Sequence, residues 1–253
     1  MYYSVCLGAL FPNVPVEDAL ARIRKAGLTH YEFWSWWDRD MDAHLAAQQA
    51  TGVAPAALCT HFISLTDPAC RDAYVAGLRE TIEVCKKLGC PTIISQVGNE
   101  LPGVPRKEQH DSIVDGLRAC LPYLQESGLT LVIEPLNTRV DHPGYYLWQA
   151  AEAFQIIDEV GDKHVKVLLD MYHQHVMDDL DVNTLVTNID KIGHFHMAGN
   201  PGRHEPLESG MDYVSILRRI EQTGYEMAIG LEYFPVKDAD EGLNELCAAL
   251  HAQ

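Results

Sequence analysis

Gly193-His-Phe-His-Met-Ala-Gly-Asn-Pro-Gly-Arg-His-Glu-Pro206 opens as a short apolar strand and runs into a Gly/Pro-rich loop carrying Arg203, His204 and Glu205. Side chains in a strand alternate between faces, so His194 and His196 point the same way just before a charged turn. Packing alone gives no reason to put two imidazoles there. Three other apolar runs close in a similar manner: Thr130-Leu-Val-Ile-Glu134, Val165-Lys-Val-Leu-Leu-Asp170 and Ala228-Ile-Gly-Leu-Glu232. Each ends on a side chain that can bind a proton or a cation.

Outward from these runs, a pattern recurs of amphipathic helix, glycine and short apolar segment. Gly27, Gly52, Gly89, Gly128, Gly161 and Gly224 each stand where a helical period stops, and glycine there takes the left-handed conformation that ends a helix. Helical spacing links Leu20, Ile23 and Gly27; Val75, Leu78, Ile82 and Cys85; Ile113, Leu117, Cys120 and Leu124; Val214, Leu217 and Ile220; and Leu243, Leu246 and Leu250. Between them lie strand candidates at 3–8, 30–34, 54–59, 92–97, 130–134, 165–170, 192–197 and 228–233. They are short and mostly apolar, as strands covered on both faces should be.

Eight strands alternating with helices, at about thirty residues per unit, predict a single (β/α)8 barrel over residues 1–253, with a doubly wound open sheet as the alternative. In a parallel barrel all strand ends share one rim, where active sites are built. The two longest apparent loops, 99–112 and 135–147, follow strands and fall on that rim.

Composition narrows the function classes. The net charge of −17 argues against a partner bound through its phosphates, and so against nucleic acid. No apolar run approaches the ~18 residues of a membrane span, and Met1-Tyr-Tyr-Ser4 has no basic segment before the first apolar run. The expectation is a cytoplasmic protein with no membrane partner. Seven cysteines, none in a Cys-x-x-Cys pair, read as reduced core thiols.

On a shared rim, Glu134, Asp170, His196 and Glu232 can converge on one point. Any one of them could instead cap the next helix or join a loop salt bridge. Three carboxylates massed in a partly dry site repel one another, and a divalent cation neutralises them economically. Three oxygen donors and one imidazole suit Mn²⁺, Mg²⁺ or Co²⁺ better than a sulfur-rich zinc site.

The motifs Glu134-Pro-Leu-Asn-Thr138, Asp170-Met-Tyr-His173, residues 193–206 and Gly230-Leu-Glu-Tyr233 resemble the hydroxypyruvate isomerase branch of the xylose isomerase-like TIM barrels. That superfamily also holds ketose 3-epimerases, inosose dehydratases and endonuclease IV. The resemblance runs over nearly the whole chain. It implies a metal held by Glu134, Asp170, His196 and Glu232, the two glutamates as the acid/base pair, and His173 and Arg203 on substrate oxygens. His196 stands where the enteric isomerases tend to carry Gln, which brings the ligand set closer to that of the epimerases. Phe33-Trp-Ser-Trp-Trp37 is more aromatic than the isomerase pattern.

The activity so implied is isomerisation through an enediolate on a small hydroxy-carbonyl compound, hydroxypyruvate to tartronate semialdehyde, with 3-epimerisation of a free ketose as the alternative. A metal-dependent endonuclease and a non-catalytic sugar-binding barrel are the readings from other classes. His61, Gln96 and Glu100 are further candidates for lining the site. His194 reads as a partner of His196 or as a core histidine. Trp34, Trp36 and Trp37 read as pocket wall, packing or subunit contact. The resemblance is also compatible with a homodimer or homotetramer.

Overall fold

Short runs of β-branched and small apolar residues become strands here because each is buried on both faces, between helices outside and packed side chains inside. The structure, a computed structural model, describes residues 1–251. Its strands are β1 (Tyr2–Cys6), β2 (His30–Phe33), β3 (Ala54–Cys59), β4 (Thr92–Ser95), β5 (Thr130–Ile133), β6 (Val165–Asp170), β7 (Ile192–Met197) and β8 (Ala228–Leu231). Every neighbouring pair is parallel, and β8 pairs back onto β1 to close an eight-stranded barrel. The expected closed barrel is the fold adopted, and the open sheet is not.

The helices bury the stripes that the spacing singled out. Helix Arg71–Leu88 buries Leu78, Ile82 and Cys85, and helix Arg106–Ser127 buries Ile113, Leu117, Cys120 and Leu124. All six glycine stops have positive φ. At Gly89, φ is +71° and its N–H closes the last turn onto Cys85. The expected loop 99–112 is shorter in fact, because helix Arg106–Ser127 begins inside it. Its first turn, Arg106-Lys-Glu-Gln-His110, offers no apolar residue from which a period can be counted. The first strand likewise stops at Cys6, and Leu7–Leu10 turns into one helical turn.

Two layers of core result. The larger lies between sheet and helices; the smaller fills the barrel with Ala57, Cys59, Ile94, Val132 and Leu168. All seven cysteines are free thiols, and only Cys70 is not fully buried. Among the described residues, no helix is long and apolar enough to cross a membrane.

Candidate active site

The carboxyl ends of β5 to β8 bring four side chains together. Glu134 follows β5, Asp170 ends β6, His196 is the penultimate residue of β7, and Glu232 follows β8. Register sets their level: Asp170 pairs with His196, and His196 with Gly230. All four are buried, and one ligand atom from each lies within 4.8 Å of the others. His196 Nδ1 is 3.1 Å from Glu232 Oε2 and 3.5 Å from Glu134 Oε1. Neither that nitrogen nor Glu134 Oε1 has a hydrogen-bond partner among the described residues.

Asp170 shows that capping and site roles are compatible. Its Oδ1 accepts from the backbone N–H of Tyr172 at 2.8 Å and caps helix Met171–Val176. Its Oδ2 faces the site, 3.4 Å from His173 Nε2. A cap and a ligand atom therefore coexist on one carboxylate.

Electrostatics separate the two glutamates. Burial, opposed by His196, pushes the Glu134 carboxyl up to about 7. Burial also works to raise Glu232, but Arg203 and His196 hold it well below the usual carboxylate range. Burial alone would lower the His196 imidazole; Glu232 and Glu32 hold it well above its ordinary value. Opposed shifts of this kind cluster at sites that handle charge or protons. Orphaned buried donor atoms, three carboxylates and one imidazole fit a divalent cation, with His196 Nδ1 as the nitrogen ligand.

Beneath the quartet lies a second set of contacts that sequence reading missed. Glu32, in β2, places Oε1 2.7 Å from His196 Nε2 and Oε2 3.0 Å from His194 Nε2, and it accepts from the Ser4 hydroxyl. Burial opposes its ionisation, yet the two imidazoles hold it at about 2. His194 is thus a partner of this carboxylate rather than a plain core residue. The signal was an acid inside His30-Tyr-Glu-Phe33, whose odd placement was legible although its partners were not.

Sequence comparison decides the family. Residues 20–251 match the profile described as "Xylose isomerase-like TIM barrel".

The chain belongs to that family.

It is 32% identical to hydroxypyruvate isomerase of Escherichia coli over 176 residues, covering 70% of this chain and 68% of the relative. A 2-oxo-tetronate isomerase of Pectobacterium atrosepticum is 24% identical over 95% of each chain. Among solved structures, one titled AP endonuclease, family 2, from Brucella melitensis superposes with a TM-score of 0.92 at 24% identity, covering 98% of this chain and 99% of that one. At that identity the likeness shows the fold alone. With these relatives, the protein is an enzyme of isomerase type.

Around the quartet this xylose isomerase-like barrel holds a cavity of about 820 Å³, whose lining includes Trp34, Gln96, His142, His173, Arg203 and Phe234. Arg203 turns inward instead of pairing with Glu205 or Glu208. Its Nη2 is 3.3 Å from Asp170 Oδ2 and contacts Glu232 Oε2. Tyr172 and Phe234 flank its guanidinium at 5.4 and 5.9 Å. Its φ of +57° follows the +88° of Gly202, a backbone that costs a side-chain-bearing residue free energy and that tends to persist at functional sites. Glu205 is occupied elsewhere, accepting from the backbone N–H groups of Val236 and Lys237.

His61 is not brought to the cavity. Its ring stacks on Trp37 at 4.5 Å, meets Trp36 edge-on and sits 3.3 Å from Glu80, so the expected substrate contact gives way to an aromatic cluster at the rim. Glu100 pairs with Arg106 and does not line the site. Trp34 does, and its indole N–H donates to Glu232 Oε1 at 2.5 Å. Trp36 packs against the core, while the more exposed Trp37 stacks on His61 and meets Phe62 edge-on. Asn137 and Asp141, also missed, stand behind His173.

Proposed function

We propose that this barrel is a divalent-metal-dependent isomerase of a small 2-oxo hydroxy acid, with hydroxypyruvate to tartronate semialdehyde as the first reaction to test. The carrying observation is the convergence of Glu134, Asp170, His196 and Glu232, with unpartnered donor atoms, beside a buried arginine. A cation held by those four, Mn²⁺, Mg²⁺ or Co²⁺, supplies a Lewis acid for the carbonyl and hydroxyl oxygens of the substrate. The remaining work falls to the chain.

Isomerisation requires loss of a proton from the carbon next to the carbonyl and its return to the neighbouring carbon. In this reading Glu134 and Glu232 move it, one removing the proton and the other returning it. Arg203, gripped between two rings, presents a planar fork suited to a carboxylate, which a 2-oxo acid has and a free ketose lacks. His173 presents Nε2 toward the same space. Trp34 and Phe234 form apolar wall that keeps water off the reacting carbon.

A cavity of about 820 Å³ exceeds what a three-carbon acid fills, and this favours a second reading, 3-epimerisation of a free ketose, in which the proton removed beside the carbonyl is replaced on the opposite face of the same carbon. The net charge of −17 weighs against phosphate-rich substrates such as DNA.

The test is exchange of substrate hydrogen with deuterated water, followed by NMR with the Mg²⁺-loaded protein and hydroxypyruvate, tartronate semialdehyde and a panel of ketoses. Exchange with hydroxypyruvate that stops with chelator and in Glu134→Gln supports the first reading. Exchange confined to ketoses replaces it with the second. No exchange with any compound overturns both.

A further inference from the structure

Asn137 holds the imidazole of His173 from behind. Its Oδ1 accepts the backbone N–H groups of Val140 at 3.1 Å and Asp141 at 3.0 Å, so the amide cannot be flipped without losing both. The NH2 must then face the other way, where it donates to Asp141 Oδ2 at 2.6 Å and to His173 Nδ1 at 2.6 Å. Asp141 Oδ2 also accepts from the Tyr172 hydroxyl at 2.9 Å, which fixes the acceptor on which the amide rests.

An amide NH2 only donates. Nδ1 of His173 must therefore offer its lone pair. An imidazolium, or a neutral ring protonated at Nδ1, would set two donors head-on at 2.6 Å. The ring consequently carries its proton on Nε2. That nitrogen is fully buried, has no hydrogen-bond partner among the described residues, and lies 3.4 Å from Asp170 Oδ2 on the cavity wall. A buried N–H with no partner inside the protein is a donor held ready for something that enters.

We infer that Asn137 is a positioning residue that fixes His173 as a neutral Nε2–H donor aimed at a substrate oxygen. The identity of that oxygen, the one that gains charge as the proton leaves carbon, rests on the proposed isomerase reading; the location of the proton does not. His173 then stabilises developing charge by donating a hydrogen bond, and the proton traffic is left to the glutamates. Asn137 belongs to the Glu134-Pro-Leu-Asn run, so one short segment supplies both an acid/base candidate and the brace for its neighbour.

The experiment is long-range proton–nitrogen NMR on protein labelled with ¹⁵N-histidine, in metal-free and Mg²⁺-loaded forms, with His173→Gln identifying the signal. The expected result is a single His173 tautomer with Nε2 protonated and Nδ1 bare. An Nδ1–H ring or an imidazolium overturns the inference. Asn137→Asp retains the oxygen that accepts from the loop backbone and puts an acceptor against Nδ1, so the ring is expected to change to Nδ1–H. In that variant kcat falls about tenfold to a hundredfold, with KM and Mg²⁺ affinity within about twofold. Asn137→Ala is expected to give mixed tautomers and a similar loss. Tyr172→Phe, which leaves the amide in place, is expected to keep the wild-type tautomer. Loss of kcat with an unchanged tautomer overturns the positioning role. The Nε2–H signature without proton exchange on any compound upholds the tautomer assignment while the isomerase reading fails.

Discussion

His196 Nε2 lies 2.7 Å from Glu32 Oε1, while Nδ1 of the same ring faces Glu134 and Glu232. A carboxylate behind a histidine ligand fixes the tautomer and orientation of the ring and raises its basicity. Glu32→Gln keeps the shape and removes the charge. Its expected effect is a loss of divalent-ion affinity of about tenfold to a hundredfold, read by calorimetric titration with Mn²⁺. Unchanged affinity would mean that β7 alone holds the ring.

Gly230 makes room for that arrangement. A Cβ at this position would lie 2.5 Å from Glu32 Oε1 and collide with His196 Cδ2. Both atoms belong to buried groups with nowhere to retreat. Gly230→Ala is expected to destabilise the fold by about 1–3 kcal/mol and to weaken metal binding along with it. Thermal unfolding with and without Mn²⁺ separates the two effects, and a variant with wild-type Tm and affinity would refute the packing argument.

How legible this was from sequence differed by layer. The barrel could be read because glycine stops such as Gly89 and Gly128 punctuate its units, and because helix–strand alternation of that length has few closed solutions. The quartet could be read because each member ends an apolar run on the same rim. Glu32 could not, since its partners sit on β1 and β7, and long-range register is invisible in a local pattern. Asn137 was visible as a letter, but its role depends on which way an amide faces. His61 shows the converse limit: position after β3 suggested the cavity lining, and the ring instead stacks on Trp37 and meets Trp36 edge-on.

Metal removal should register as stability. Asp170, Glu134 and Glu232 crowd around His196, and Arg203 offsets only part of their charge. A cation that binds the folded state alone, at a hundred times its Kd, stabilises by about 2.7 kcal/mol, or a Tm rise of about 5–10 °C for a chain of this size. Chelator is expected to reverse the rise, and Glu134→Gln to abolish most of it. A Tm indifferent to Mn²⁺, Mg²⁺ and Co²⁺ would argue against a cation at the quartet.

Arg203→Lys tests substrate class. Lysine keeps the charge but loses the planar fork that matches a carboxylate. For a 2-oxo acid the expected change is a KM increase of about tenfold or more, with a smaller effect on kcat. For a free ketose, which has no carboxylate to grip, KM should barely move. Initial rates with hydroxypyruvate and with a ketose, measured on both proteins, give the comparison directly.

His44 predicts an acid limit on stability that is independent of the active site. It is buried, its Nδ1 lies 3.2 Å from the Tyr31 hydroxyl, and that hydroxyl already accepts from Gln48 Nε2 at 2.9 Å. With Gln48 donating to its oxygen, the hydroxyl has its own proton to offer to a bare Nδ1. Burial, aided by Arg39 and opposed by Asp40, lowers the imidazole from 6.5 to about 4. Between those two values the unfolded chain binds a proton that the folded one refuses, so stability rises with pH across the window. The contribution is complete above about 6.5 and disappears as pH falls to about 4, amounting to about 3 kcal/mol at about 1.4 kcal/mol per pH unit. Urea unfolding at closely spaced pH values should show this slope in the wild type and a flatter one in His44→Gln. Equal slopes in the two proteins would assign the acid sensitivity to other groups.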